Sequence, residues 1–161
     1  MVQKSFTILV CCLTVLFHSC EKNEIKLADK DYIIFGSYHS MCSGDCIAFY
    51  KLEENKLFKD TRTQYPPLYS DGFYTGNFAQ LSQNQFEEVK DLLGYFPSDL
   101  LKESKSVIGC PDCVDYGGLY IEYNVKGVRK YWHLDRMKSE VPEKYHAFID
   151  KVDEKIVLLR E

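Results

Sequence analysis

Residues 119–134 read LYIEYNVKGVRKYWHL, and this stretch decides the fold. Two runs rich in aromatic and β-branched residues flank Lys126-Gly127, a pattern that predicts a tight β-hairpin. Because a two-residue link cannot cross over a sheet, the two strands must pair antiparallel. The rest of the domain is therefore built around an antiparallel pair at 119–125 and 128–134.

A helix is predicted upstream of this hairpin. Ser82 and Gln85 form the capping-box pattern at its start, and Gly94 with Pro97 marks its end. The apolar residues between these signals recur at helical spacing and share one face: Phe86, Val89 and Leu93.

Three more strands are predicted before this helix, at 32–38, 46–52 and 56–63, joined by short polar links. A second helix is predicted after Pro142, because apolar residues keep the 3.6-residue period to the end of the chain. The order is thus βββ-α-ββ-α. We predict an α+β, two-layer domain over 31–161, with an antiparallel sheet of about five strands and two packed helices.

Composition limits the class of protein. The chain has 161 residues, of which 45% are hydrophobic and 14% aromatic, enough for the core of one domain. Its net charge is −4, and the sequence contains no long run of basic residues, so nucleic acid is not an expected partner.

The N-terminus indicates export. Lys4 precedes the uncharged apolar run SFTILVCCLTVLF, which is shorter than the ~20 residues of a membrane-spanning helix. Basic, apolar and small-residue zones follow one another in secretory order. We therefore predict a signal peptide over residues 1–19.

Cys20 directly follows Ser19 at the end of the apolar run, and this resembles the lipobox of bacterial lipoproteins. The resemblance implies that Cys20 carries acyl chains such as palmitate and that 20–30 is a polar tether. The protein would then be anchored in the cell envelope, at the outer membrane, on its periplasmic or outer face. The alternatives are ordinary cleavage near Ser19 or a cysteine that merely belongs to the signal.

Four of the seven cysteines then remain: Cys42, Cys46, Cys110 and Cys113. An oxidising compartment favours disulfides. Chain entropy favours pairing between the two motifs, about 4.4 kcal/mol per bridge against about 2 for a local one. Four thiolates could instead bind zinc or copper, with His39 as a possible further ligand, although no cofactor is expected.

The element Cys42-Ser43-Gly44-Asp45-Cys46, followed by the aromatic stretch 74–78 and the Ser82-capped helix, resembles a family of bacterial envelope domains, many of them lipoproteins. The resemblance covers roughly residues 31–155. It implies the fold and the location but no activity. It also implies local pairing, Cys42 with Cys46 and Cys110 with Cys113, because a domain with only the first pair must close it locally.

The sequence contains no motif that indicates a particular enzymatic reaction. The chain lacks a nucleophile elbow, a zinc-protease helix and a phosphate-binding glycine loop. The segment after Cys113, VDYGG, cannot continue as the helix that a thioredoxin-like motif requires. His39, His133 and His146 are interpreted as structural, with His39 the one candidate ligand.

The loop 64–77 contains two prolines and four large aromatic side chains, Tyr65, Tyr69, Phe73 and Tyr74. These rings either form a recognition surface for a protein or glycan, or cap an open end of the core. Three functional hypotheses follow: a lipid-anchored, non-catalytic binding module, a metal-binding lipoprotein, and an enzyme without a recognisable motif. The first is our leading hypothesis.

Overall fold

The structure is a computed structural model that describes residues 25–67, 72–114 and 116–160. In this part of the chain seven strands form one sheet, ordered β4-β3-β2-β1-β6-β7-β5. The strands are β1 Tyr32–Tyr38, β2 Ile47–Glu53, β3 Lys56–Asp60, β4 Phe78–Gln80, β5 Val107–Ile108, β6 Gly118–Val125 and β7 Val128–Asp135.

The helices follow the predicted order. Helix α1 spans Gln83–Val89 and continues as a 3-10 helix over Lys90–Tyr95, while α2 spans His146–Leu158. Further 3-10 turns lie at Ser98–Lys102, Lys138–Glu140 and Glu143–Tyr145. The capping box is present, because the Ser82 side chain accepts from the Gln85 N–H and the Gln85 side chain accepts from the Ser82 N–H.

The α+β class is confirmed, but the strand number is corrected. The five predicted strands correspond to β1, β2, β3, β6 and β7, and the sheet gains β4 beside β3 and β5 beside β7. β5 pairs with β7 in parallel, so the sheet is mostly rather than wholly antiparallel. Strand β3 ends at Asp60, three residues earlier than predicted.

The β6–β7 hairpin has the predicted turn. Val125 pairs with Val128, and the two turn residues Lys126 and Gly127 have φ angles of 52° and 78°. Two successive left-handed residues make the turn whose twist matches that of the strands, and glycine suits the second position.

One face of the sheet packs against the helices. Ile33, Leu52, Ile121 and Leu134 of the strands meet Phe148 and other side chains of the helices in one buried cluster. We call this cluster the helix-side core. Because strand residues alternate between faces, the residues next to these point to the opposite side.

The opposite face holds a second cluster that contains no helix residue: Ile34, Tyr38, Phe49, Tyr74 and Tyr120. Tyr74 reaches it from the segment between β3 and β4. This segment therefore covers the face of the sheet that the helices leave open.

Strand β1 runs from one end of the sheet to the other. It begins at Tyr32, just after the predicted tether 20–30, and ends at Tyr38, next to the loop 39–46 that contains Cys42 and Cys46. Seven residues of strand span about 20 Å. The end of the predicted tether and the loop 39–46 consequently lie at opposite ends of this strand.

The predicted signal peptide, 1–19, and the predicted lipidation site, Cys20, lie outside the described residues. Within the described ranges, no helix has both the length and the apolar character needed to cross a bilayer.

Candidate functional site

The four mature cysteines form two local disulfides, Cys42–Cys46 and Cys110–Cys113, with Cα–Cα distances of 5.7 and 5.5 Å. The local pairing implied by the resemblance is confirmed, and the pairing favoured by chain entropy does not occur. A paired sulfur is not a thiolate ligand. Among the described residues, no group of three or more histidine, cysteine, aspartate or glutamate side chains could hold a metal ion.

Each disulfide lies within a longer connection between strands: the first loop is 39–46, between β1 and β2, and the second is 109–117, between β5 and β6. These two loops are joined to each other and to the sheet. The Ser40 N–H donates to both oxygens of Asp112, at 3.2 and 3.0 Å. Asp135, at the end of β7, accepts from the Cys110 N–H at 2.9 Å and from the Met137 N–H at 2.8 Å. Both loops are thereby held at the same end of the sheet.

Large apolar side chains project into solvent from this end. Met41 is 76% exposed, Tyr116 60%, Val114 57% and Tyr65 42%. Met41 follows Ser40 in the first loop, and Val114 and Tyr116 follow the second disulfide. We call these four residues the disulfide-end surface. They are four of the eight exposed large apolar residues in the part of the chain that the structure describes, and exposed apolar side chains are a common feature of interaction sites.

Tyr65 belongs to this end because of its contacts. Its ring meets the ring of buried Tyr38 edge-on, with centroids 6.0 Å apart. Burial raises the pKa of the Tyr65 hydroxyl, and the negative charge of Asp112 raises it further. The Asp112 carboxylate that fastens the two loops therefore also lies near Tyr65.

The four aromatic residues predicted as one surface are divided by the structure. Tyr65 lies at the disulfide end and Tyr74 is buried. Phe73 lies elsewhere, over the Arg129 guanidinium, with 3.8 Å from its ring centroid to Cζ. Tyr69 is outside the described residues. Of the two interpretations of this loop, Tyr74 fits the one in which the rings cap the core. Tyr65 is exposed enough to contact a binding partner.

Tyr74 is held at both ends. Its hydroxyl donates to Asp60 at 2.6 Å, and its N–H donates to Tyr120 Oη at 3.0 Å and to Glu122 Oε2 at 3.2 Å. Asp60 also accepts from the Asn77 N–H at 2.6 Å. These bonds tie the covering segment to the sheet.

Glu122 is the fully buried acid at the centre of this face. Its Oε1 accepts from Tyr32 Oη at 2.8 Å and from Arg129 Nε and Nη2 at 3.0 and 2.8 Å. Its Oε2 accepts from Tyr120 Oη at 2.7 Å as well as from Tyr74. Burial and the bond to Glu122 raise the pKa of Tyr32 to about 12, so its hydroxyl remains a proton donor. The carboxylate is saturated with donors and has a structural role.

His133 is also fully buried on this face. Its Nδ1 lies 3.1 Å from Tyr38 Oη, and its Nε2 has no hydrogen-bond partner of good geometry among the described residues. Burial lowers its pKa to about 4, although the nearby Pro67 backbone acts in the opposite direction. A neutral imidazole packed among tyrosine rings fits the structural interpretation. His146, in α2, contacts the carbonyls of Lys138 and Val141 at 2.9 and 2.8 Å.

Sequence reasoning missed Glu122, Asp60 and Asp135, three of the four buried acids among the described residues, which bind the covering segment and the second loop. The available signal was a charged residue inside an aromatic strand, as in Tyr120-Ile121-Glu122-Tyr123. Strand alternation places Tyr120 and Glu122 on the same face, where a carboxylate needs donors if it is buried.

His39 lies in the first cysteine loop, against Gly117. A Cβ built on Gly117 would lie 2.5 Å from the Tyr38 carbonyl oxygen and 3.0 Å from His39 Cδ2. With φ at +69°, this position requires glycine. The close approach places His39 between the two loops.

No family model, curated protein or solved structure matches this chain.

Proposed function

We propose that this protein is a lipid-anchored component of the bacterial cell envelope that binds a protein partner, without catalysis, through the disulfide-end surface. The observation that carries the proposal is the exposure of Met41, Val114 and Tyr116, which flank the two disulfides, and of Tyr65, whose ring contacts Tyr38 at the same end of the sheet. Loops fixed in advance lose little entropy when they bind.

The position of this surface suits an anchored protein. The tether enters at the start of β1, and the disulfide-closed loops lie about 20 Å away at its end. An anchor at Cys20 would therefore present the surface away from the membrane.

The side chains favour a protein over a glycan. Methionine and tyrosine are enriched in protein interfaces, and the aliphatic groups of Met41 and Val114 offer no hydrogen bonds to sugar hydroxyls. The buried state of Glu122 and His133 favours binding over catalysis, because neither side chain is exposed to a substrate in solvent.

The proposal is tested by placing a photo-crosslinking amino acid at position 116 or, as control, at position 157, another exposed apolar position. In intact cells we expect a discrete crosslinked protein from position 116 alone, and its loss in Met41→Asp/Val114→Asp. The matched control Val128→Asp/Val157→Asp should retain the product. Equal products from both positions, or a product that persists in the first variant, would contradict the proposal.

Anchoring is tested separately. Cys20→Ala should release the protein from the membrane fraction, since it removes the only residue predicted to carry lipid. Membrane retention equal to that of the unaltered protein would refute the lipid anchor without bearing on the disulfide-end surface.

A further inference from the structure

A second candidate site lies at the opposite end of the domain. A cavity of about 600 Å³ opens where the tether meets the sheet. We call it the tether cavity. Its apolar wall includes Phe96, Leu101, Tyr123 and Val125, and the Phe96 and Tyr123 rings lie 5.2 Å apart between centroids. Its volume falls within the ~300–1,000 Å³ of typical ligand pockets.

The charged groups that line this cavity are both positive. They are Lys26, from the tether, and Lys126, from the β6–β7 turn, and no acidic residue lines the cavity with them. Both lysines are exposed, and the ammonium group of neither forms an ion pair among the described residues. The nearest carboxylate to these groups that the contacts show is that of Asp31, which lies outside the cavity lining, is buried and accepts from the Lys126 main-chain N–H at 2.9 Å. An apolar wall beside two unpaired cations is complementary to an apolar ligand that carries an anion.

We infer that the tether cavity binds a long-chain fatty acid, with its hydrocarbon chain against Phe96, Leu101, Tyr123 and Val125 and its carboxylate beside Lys26 and Lys126. The uncharged polar side chains of the lining are the hydroxyls of Ser98 and Tyr123. They could satisfy little of the backbone of a bound peptide, whereas a hydrocarbon chain needs no hydrogen bonds. This inference does not depend on the disulfide-end surface.

Gly94 provides a way to fill the cavity. It lies in the lining, and a Cβ built on it would meet no atom within 4 Å. The substitution Gly94→Phe can therefore place a ring in the cavity, because the new side chain starts in open space.

The test uses the full-length protein in phosphatidylcholine vesicles and two diazirine probes with the same tail, palmitic acid and hexadecanol. After irradiation, we expect the acid to label peptides that contain 94–101 and 123–126. Gly94→Phe should abolish this labelling. Lys26→Glu/Lys126→Glu should lower labelling by the acid by about tenfold, the equivalent of one charge-assisted hydrogen bond, and leave labelling by the alcohol unchanged.

The control Lys59→Glu/Lys105→Glu makes the same change in net charge at exposed lysines outside the cavity lining. The acid probe should label this variant as strongly as it labels the unaltered protein. Labelling elsewhere in the chain, or equal labelling in both lysine variants, would overturn the inference. So would loss of labelling when phosphatidylglycerol replaces part of the phosphatidylcholine, which would identify a phospholipid as the ligand. A severalfold increase in Cys20→Ala would assign the cavity to the protein's own acyl chain and would likewise overturn it.

Discussion

The Ser40 main chain and the Asp112 carboxylate join two loops that are 72 residues apart in sequence. The Ser40 N–H reaches both carboxylate oxygens, at 3.2 and 3.0 Å. Asp112 itself has a φ of 63°, a conformation that aspartate and asparagine tolerate better than most residues. One residue thus supplies both the turn of the second loop and the acceptor for the first.

Asp112→Ala should lower the free energy of unfolding by about 1–2 kcal/mol, because it removes the acceptor and leaves alanine in a left-handed conformation. Asp112→Asn keeps an acceptor oxygen and the tolerance of positive φ, so its loss should be smaller. Urea unfolding of the three proteins measures the difference. Identical stabilities would show that the link contributes nothing.

The disulfides should stabilise the domain modestly. Each closes a loop with a sequence separation of only 4 or 3 residues, for which chain entropy gives about 2 kcal/mol. We expect Cys42→Ser/Cys46→Ser to lower the unfolding free energy by that amount and to weaken crosslinking from position 116. Alkylation of the unaltered protein under non-reducing conditions should find no free thiol among the four mature cysteines.

Glu122→Gln should lower the free energy of unfolding by about 3 kcal/mol. The substitution removes the negative charge that faces Arg129. It also places an amide N–H group next to residues that themselves donate hydrogen bonds to this position. Tyr32→Phe removes one of the five donors to this carboxylate and should cost about 1 kcal/mol. Denaturant unfolding distinguishes the two. A glutamine variant as stable as the unaltered protein would show that the Glu122–Arg129 contact does not stabilise the fold.

Local chemistry explains which elements could be predicted. The turn at Lys126-Gly127 and the Ser82 cap are determined by residues within a few positions, and both form as predicted. β4 and β5 have only three and two residues. Val107 becomes a strand residue because it pairs with His133, 26 positions later, and no local pattern reports such a partner.

The candidate site was predicted only in part, for a similar reason. The cysteines were identified from their spacing. Their separation from the predicted tether could not be predicted, because it depends on β1 running the length of the sheet between them. Tyr65 and Tyr74 belong to the same aromatic stretch, and sequence alone could not decide which ring is buried. Tyr74 is buried because Asp60, Tyr120 and Glu122 bind it, and these partners come from two different strands.

Tyr74→Ala should therefore cost about 3–5 kcal/mol of unfolding free energy, as expected for truncation of a buried aromatic side chain. Tyr65→Ala should cost less, about 1 kcal/mol, because Tyr65 is 42% exposed and only part of its ring packs on Tyr38, yet it should reduce crosslinking from position 116. Thermal unfolding of the pair measures the contrast. Equal losses would contradict the different burial of the two rings.

His133 should make the domain less stable in mild acid. Burial lowers its pKa from the ordinary value of 6.5 to about 4, so between these values the unfolded chain binds a proton that the folded chain excludes. The stabilisation is complete above pH 6.5 and declines as pH falls, by about 2 kcal/mol at about pH 5. In His133→Phe this part of the pH dependence should disappear, although loss of the Tyr38 contact lowers stability at neutral pH. Urea unfolding at several pH values compares the two proteins, and parallel pH profiles would refute a neutral, buried His133.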